Sequence, residues 1–210
     1  MKKNEPDILT EIASYYGTKL AEFGESPQGV DWNSEESQIL RFEQLCKVIE
    51  DPGEFSLNDI GCGYGALFDF LCQKYAAFSY LGVDVSDTMI RTAKNRYQHD
   101  SEARFMTTAI PDKVADYSIA SGIFNVRLGR TNAEWSDYLE ATLDVLDRNS
   151  CSGFAFNCLT SYSDRDKMRD YLYYADPCIL FDLCKRRYSR QVALLHDYGL
   201  YEFTILVRKK

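Results

Sequence analysis

Histidine is almost missing from this 210-residue chain, with two residues against 15 tyrosines and 12 phenylalanines. No grouping of His, Cys, Asp and Glu has metal-ligand spacing, so no metal site is expected. The seven cysteines are odd in number and include no C-x-x-C pair, which excludes a disulfide framework and leaves reduced, mostly buried thiols. No apolar run approaches the ~20 residues that span a bilayer. Met1-Lys2-Lys3-Asn4-Glu5-Pro6-Asp7 leads into no apolar segment of the kind that forms a secretory signal, so a cytoplasmic location is expected. Basic residues are short as well. Against 32 Asp and Glu the chain has 24 Lys and Arg, and the net charge of −8 argues against a nucleic-acid partner. Lys185-Arg186-Arg187 is the only tight basic cluster, and it reads as the solvated last turn of a helix.

What is present suits a globular protein with a full core: apolar residues make up 45% and charged residues 27%. Repeats and low-complexity stretches are absent. Residues 7–20 carry Ile8, Ile12, Tyr15 and Tyr16 at helical spacing. A Gly- and Pro-bearing loop follows, and then a helix capped by Asn33 or Ser34 that ends at Asp51-Pro52-Gly53. From there strands and helices alternate. Strands are expected at 56–60, 79–85, 103–107, 117–124 and 152–158, with helices at 66–75, 88–97 and 132–146 between them. Helices are expected at 165–174 and 178–187, and the strands 191–196 and 201–207 close the chain across a short turn. Such alternation means a mostly parallel sheet with helices on both faces. The closing pair, joined by so short a turn, must be antiparallel. The domain reading is an N-terminal helical cap segment over residues 1–53 and a core over 54–210, with a helical insertion at about 160–188.

Asp59-Ile60-Gly61-Cys62-Gly63-Tyr64-Gly65 stands between the first of these strands and the helix after it. Glycines at alternate positions allow a sharp turn and let a ligand lie against bare main chain. The helix beyond presents unpaired N–H groups. Gly61, Gly63 and Ala66 also satisfy the G-x-G-x-x-[GA] pattern of dinucleotide enzymes, which alone is weak. Asp84, ending the next strand, can hold ribose hydroxyls in either reading. Two features separate them: the acid Asp59 two residues before the first glycine, and the closing hairpin in place of a second mononucleotide half. Cys62, among glycines at a helix start, is the one thiol whose pKa such a position lowers, although no base lies near it in the sequence.

With these residues in view, the chain resembles the class I S-adenosylmethionine-dependent methyltransferases. The glycine loop is similar to their first motif. Leu81-Gly82-Val83-Asp84-Val85-Ser86, with Met89-Ile90 and Ala93, is similar to their second, and Asp116 to Gly122 stands at their fourth-strand motif. The resemblance covers residue 56 to the C-terminus. It implies a Rossmann-like seven-stranded sheet with the last strand antiparallel, and S-adenosylmethionine bound at the C-terminal ends of the first strands. Gly61, Cys62 and Gly63 would lie along its methionyl part, Asp59 would reach its amino group and Asp84 its ribose. Val85 and Met89 would pack on adenine, and Ser121 and Gly122 would floor the site beneath the sulfonium. Where many members carry an acid for the adenine amine, this chain has Phe105 to Asp112, leaving Thr108, a carbonyl or Asp112 as substitutes. The Asn-Pro-Pro-Tyr-like run of base-modifying members is missing. A small-molecule acceptor, methylated at oxygen or nitrogen, is the leading expectation. A nicotinamide-dependent oxidoreductase and a non-catalytic donor-binding domain are the alternatives.

The remaining candidates concern the acceptor side and the donor carboxylate. Arg41 is a candidate partner of that carboxylate, and Trp32 a candidate lid residue. Asn125 and Arg127 follow the fourth strand, where an acceptor would approach; Tyr173 and Tyr174 belong to the tyrosine-rich insertion. His196, at the end of the sixth strand, is the only plausible imidazole base.

Overall fold

The computed structural model describes residues 7–209. Two helices precede the sheet, α1 (Ile8–Phe23) and α2 (Glu35–Leu45), with a 3₁₀ turn Pro27–Val30 between them. The sheet strands are β1 (Phe55–Ile60), β2 (Phe78–Asp84), β3 (Ala103–Thr107), β4 (Ala115–Ala120), β5 (Ser150–Leu159), β6 (Gln191–Leu195) and β7 (Glu202–Arg208). Helices α3 (Ala66–Lys74), α4 (Asp87–Arg96), α5 (Asn132–Arg148) and α6 (Pro177–Arg187) connect them.

Local chemistry sets the helix starts. Ser34 accepts a hydrogen bond from the Ser37 N–H and so caps α2, while Ser86 caps α4 through the Met89 N–H. Thr131 and Glu134 form a reciprocal capping box at α5. Pro177 opens α6 behind the Asp176 cap.

The seven strands lie in the order β3-β2-β1-β4-β5-β7-β6, parallel except for β7, which runs against both β5 and β6. Alternate strand residues serve opposite faces. Leu57, Ile119, Ala155 and Leu206 point into one buried cluster with Phe42 and Leu45 of α2 and Leu71 of α3. Ile60, Ala120, Phe156 and Ile205 point into the other with Leu139 and Leu143 of α5 and Leu180 of α6. The order reverses between β1 and β4, and a crevice opens beyond the strand ends at such a switch point.

Residues 7–53 thus divide. Helix α1 and the 3₁₀ turn roof that crevice, while α2 packs on the sheet as part of the core.

The helix expected over 165–174 is not formed; the segment is turns and extended pieces, with isolated bridges Val126↔Leu172 and Thr160↔Ala175. Its backbone is recruited elsewhere: the Arg127 N–H donates to the Tyr171 carbonyl, and the Tyr173 N–H to the Asn125 carbonyl. Those tertiary bonds outcompete a short, highly charged stretch with only a narrow apolar stripe. Strand β4 also ends at Ala120, not at residue 124, because Gly122 turns the chain with a φ of 75°. No helix among the described residues is long and apolar enough to cross a membrane.

Candidate active site

A cleft with about 960 Å³ of unfilled space, mouth included, lies at the switch point. The glycine loop forms its base. The Gly61 and Cys62 N–H groups both donate to the Val83 carbonyl, at 2.8 and 3.0 Å, tying the loop to the end of β2. Gly61 has a φ of 76°, and a Cβ there would stand 2.1 Å from Ile123 Cγ2, so no other residue fits without displacing the wall.

Two carboxylates face this cleft. Asp59, at the end of β1, is 2% exposed and accepts a 2.6 Å hydrogen bond from the Tyr80 hydroxyl. Burial pushes its pKa up to about 7, with the nearby Asp84 adding to the rise and the Tyr80 bond opposing it. Asp84 accepts from the Gly63 N–H at 3.0 Å through one oxygen and from the Ser86 N–H at 2.8 Å through the other. Burial raises its pKa too, against those backbone bonds. Each oxygen keeps a lone pair for a ligand hydroxyl. No Lys, Arg or His among the described residues lines the cleft. Two acids without a counter-charge make a site for a cation.

Cys62 also lines it, but as an inert group. Burial and the two carboxylates push its thiol well above the ordinary range, the opposite of the lowered value expected for a cysteine at a helix start. Val85 and the 1%-exposed Met89 wall the cleft beside the loop. Thr108 closes the β3 side; its N–H donates to the Asp84 carbonyl and its hydroxyl accepts from the Ile110 N–H. Asp112 does not fold back into the cleft, because it pairs with Arg104 at 2.9 Å on the surface. Ser121 and Gly122 form the floor, and the Ser121 Oγ is buried there without a hydrogen-bond partner. Trp32 lies against Gly122, where a Cβ would meet its ring at 2.2 Å.

The other expected residues lie outside the cleft. Arg41 is buried on α2, where it donates to Glu202 through Nε at 2.8 Å and Nη2 at 2.6 Å. Its charge is therefore neutralised within the protein, and it stands beneath Trp32, 3.9 Å from the ring centre. Asn125 uses its side-chain oxygen on the Leu159 N–H. Arg127 donates to the Leu172, Arg130 and Asp170 carbonyls and so ties down the 161–176 segment. Tyr173 packs against the α5 face of the core, and the Tyr174 hydroxyl accepts from the Arg169 N–H. His196 is exposed between the rings of Tyr162 and Phe203. It sits at the correct end of the sheet, but β6 is the outer edge, four strand spacings (~19 Å) from β1.

Sequence reasoning missed Tyr138 and Thr142 of α5, Gln38 of α2 and Ile123, all of which line the cleft. The i, i+4 spacing of Tyr138 and Thr142 marks one helix face but not what that face looks onto.

Comparison with known proteins agrees with this geometry. A sequence profile described as "Methyltransferase domain" matches residues 58–149. A Mycobacterium tuberculosis (strain ATCC 25618 / H37Rv) protein named "Putative methyltransferase Rv1506c" is 60% identical over 163 residues, which is 78% of this chain and 98% of that one. Among solved structures, magnesium protoporphyrin IX methyltransferase from Synechocystis PCC 6803 with bound SAM superposes over 100% of both chains, with a TM-score of 0.69 at 14% identity. The DhpI–SAH complex covers 96% of this chain and 97% of its own, with a TM-score of 0.64 at 14% identity. The chain belongs to the class I S-adenosylmethionine-dependent methyltransferases. That membership sets aside the oxidoreductase reading of the glycine loop.

Proposed function

We propose that the protein transfers the methyl group of S-adenosylmethionine to an oxygen or nitrogen of a small-molecule acceptor. The observation that carries this reading is a single cleft walled by Asp59, Gly61, Gly63, Asp84, Met89 and Ser121, holding two carboxylates and no cation among the described residues. The residues fit the donor. A cationic amino group suits Asp59, a ribose suits the free lone pairs of Asp84, and the partnerless Ser121 hydroxyl awaits a polar ligand atom.

When bound, S-adenosylmethionine supplies an activated methyl group on a positively charged sulfur. The protein's own part is then alignment and exclusion of water. Gly61 and Gly63 leave the main chain bare beside the ligand, and Met89 and Val85 give apolar walls for a flat base. Thr108 takes the place of the acid expected near the adenine amine. Trp32 and α1 roof the cleft against water. Both carboxylates that line the cleft are assigned to the donor, so no general base is assigned among the described residues. The enclosure beneath α1 and the net charge of −8 favour a small acceptor over a nucleic acid.

Asp84→Ala should weaken S-adenosylhomocysteine binding by roughly 10- to 100-fold, the value of one or two hydrogen bonds to a charged acceptor. Calorimetry on the folded variant checks this, and an unchanged affinity would remove Asp84 from the site.

A further inference from the structure

We infer that the roofed half of the cleft receives an uncharged acceptor with an apolar body, and that the Tyr16 hydroxyl binds its polar atom. This rests on the methyltransferase reading of the same cleft.

The roof is apolar. Leu9 and Ile12 of α1, Val30 of the 3₁₀ turn, Trp32 and Ile123 present hydrocarbon or ring surface to the space above the floor. Among the described residues, Tyr16 supplies the only hydroxyl that this roof brings to the cleft. Its ring packs against Leu20, Tyr64 and Met89. Its hydroxyl forms no hydrogen bond with any described residue, although Tyr15 beside it donates to Asp31 at 2.8 Å. A half-buried hydroxyl at a cavity wall with no protein partner is free to exchange water for a ligand atom. Burial holds its pKa well above 10, so it stays neutral and acts as a donor or acceptor of one hydrogen bond.

The charge pattern excludes ionic acceptors from both sides. Among the described residues, the cations flanking the roof are taken up: Lys19 pairs with Asp31 at 2.9 Å, Arg130 with Glu11 at 2.9 Å and Arg96 with Glu25 at 2.8 Å, while Arg127 is held by three backbone carbonyls. Arg41 is held by Glu202. An acceptor carboxylate or phosphate would find no cationic side chain among the described residues lining the cleft and would meet Asp59 and Asp84. A cationic acceptor would compete with the donor, whose own positive charge already answers those two acids. A neutral molecule meets neither penalty.

Three naphthalene probes of one size separate these cases: 2-naphthol, 2-naphthoate and 2-naphthylmethylammonium. Each is titrated by calorimetry into the full chain saturated with S-adenosylhomocysteine. The neutral probe should bind at least about tenfold more tightly than either ion. Tyr16→Phe should weaken 2-naphthol by about 3- to 10-fold while leaving S-adenosylhomocysteine affinity unchanged. Equal or tighter binding of either ion, no measurable binding of 2-naphthol, or an unchanged 2-naphthol affinity in Tyr16→Phe overturns the inference. If S-adenosylhomocysteine itself fails to bind the native chain, the methyltransferase reading falls and takes this one with it. If it binds and naphthoate is preferred, only the present inference fails.

Discussion

Asp59→Asn is expected to stabilise the ligand-free protein at pH 8 and at the same time to weaken its hold on the methyl donor. Asp59 is buried, and its pKa of about 7 in the folded chain lies well above the value near 3.9 of an unfolded aspartate. Between those two values the folded state holds a proton that the unfolded state has lost. Stability therefore falls as pH rises through that window and is flat above it. Asparagine keeps an oxygen for the Tyr80 hydroxyl but never ionises. At pH 8 the variant should gain on the order of 2–4 kcal/mol, since each pKa unit corresponds to about 1.4 kcal/mol. For a chain of this size that is a Tm rise of roughly 5–10 °C. The gain should vanish near pH 4, where the native aspartate is protonated in the fold.

The donor reverses the sign. A cationic ligand beside Asp59 favours the carboxylate, so binding below pH 7 must expel its proton. Donor affinity of the native protein should drop toward tenfold per pH unit below about 7, with proton release visible in buffers of different ionisation enthalpy. In Asp59→Asn the affinity should be lower by roughly 10- to 100-fold and lose that pH dependence. Thermal scans from pH 4 to 8 and calorimetry at pH 6 and 8 check both halves. A variant no more stable than the native chain at pH 8 would refute the buried-acid account.

Removing Glu202 should be the most damaging single change away from the ligand. Its carboxylate is 2% exposed and accepts from Arg41 twice and from the Asn157 amide at 2.7 Å. Asn157 in turn accepts from the Gly122 N–H at 2.7 Å. Arg41 lies under Trp32, and Trp32 lies against Gly122, so the contacts form a closed ring from the sheet to the floor and roof of the site. Glu202→Ala leaves a buried guanidinium without its counter-charge, at a cost of about 3–5 kcal/mol. Urea unfolding should show a lower midpoint with an unchanged slope. The double variant Arg41→Met, Glu202→Leu should recover part of that loss, because it removes the unpaired guanidinium but leaves the buried Asn157 amide without its acceptor. It should not recover donor affinity, since Asn157 and Trp32 lose the groups that place them. Full recovery of both would mean that the ring matters only for stability.

The parts of this protein that were legible in its sequence are those made by neighbours in the chain. The glycine loop, Asp59 two residues before it and Asp84 on the next strand are set by local turn and strand geometry. They meet wherever β1 and β2 pair in parallel. The alternation of elements likewise dictates the sheet and its antiparallel end. Arg41 shows the limit. Its position before β1 suggested a ligand partner, but the residue that claims it comes from β7. His196 shows another: strand order, not chain order, sets lateral distance, and β7 inserts between β5 and β6. The helix expected over 165–174 does not form because its backbone bonds to Asn125 and Arg127, far away in the chain, which no periodicity records.

The ring through Glu202 also fixes when the site comes into being. Arg41 and Glu202 are 161 residues apart, and Glu11 of the roof meets Arg130 across 119. A chain growing from its N-terminus folds its early segments first. Here α1 and α2 leave the ribosome long before the residues that hold them exist. The glycine loop and Asp84 can assemble early, yet the roof and floor lock only when β7 is made. A nascent or truncated chain ending before β7 would carry the donor motif without Glu202, the residue that holds Arg41 beneath Trp32.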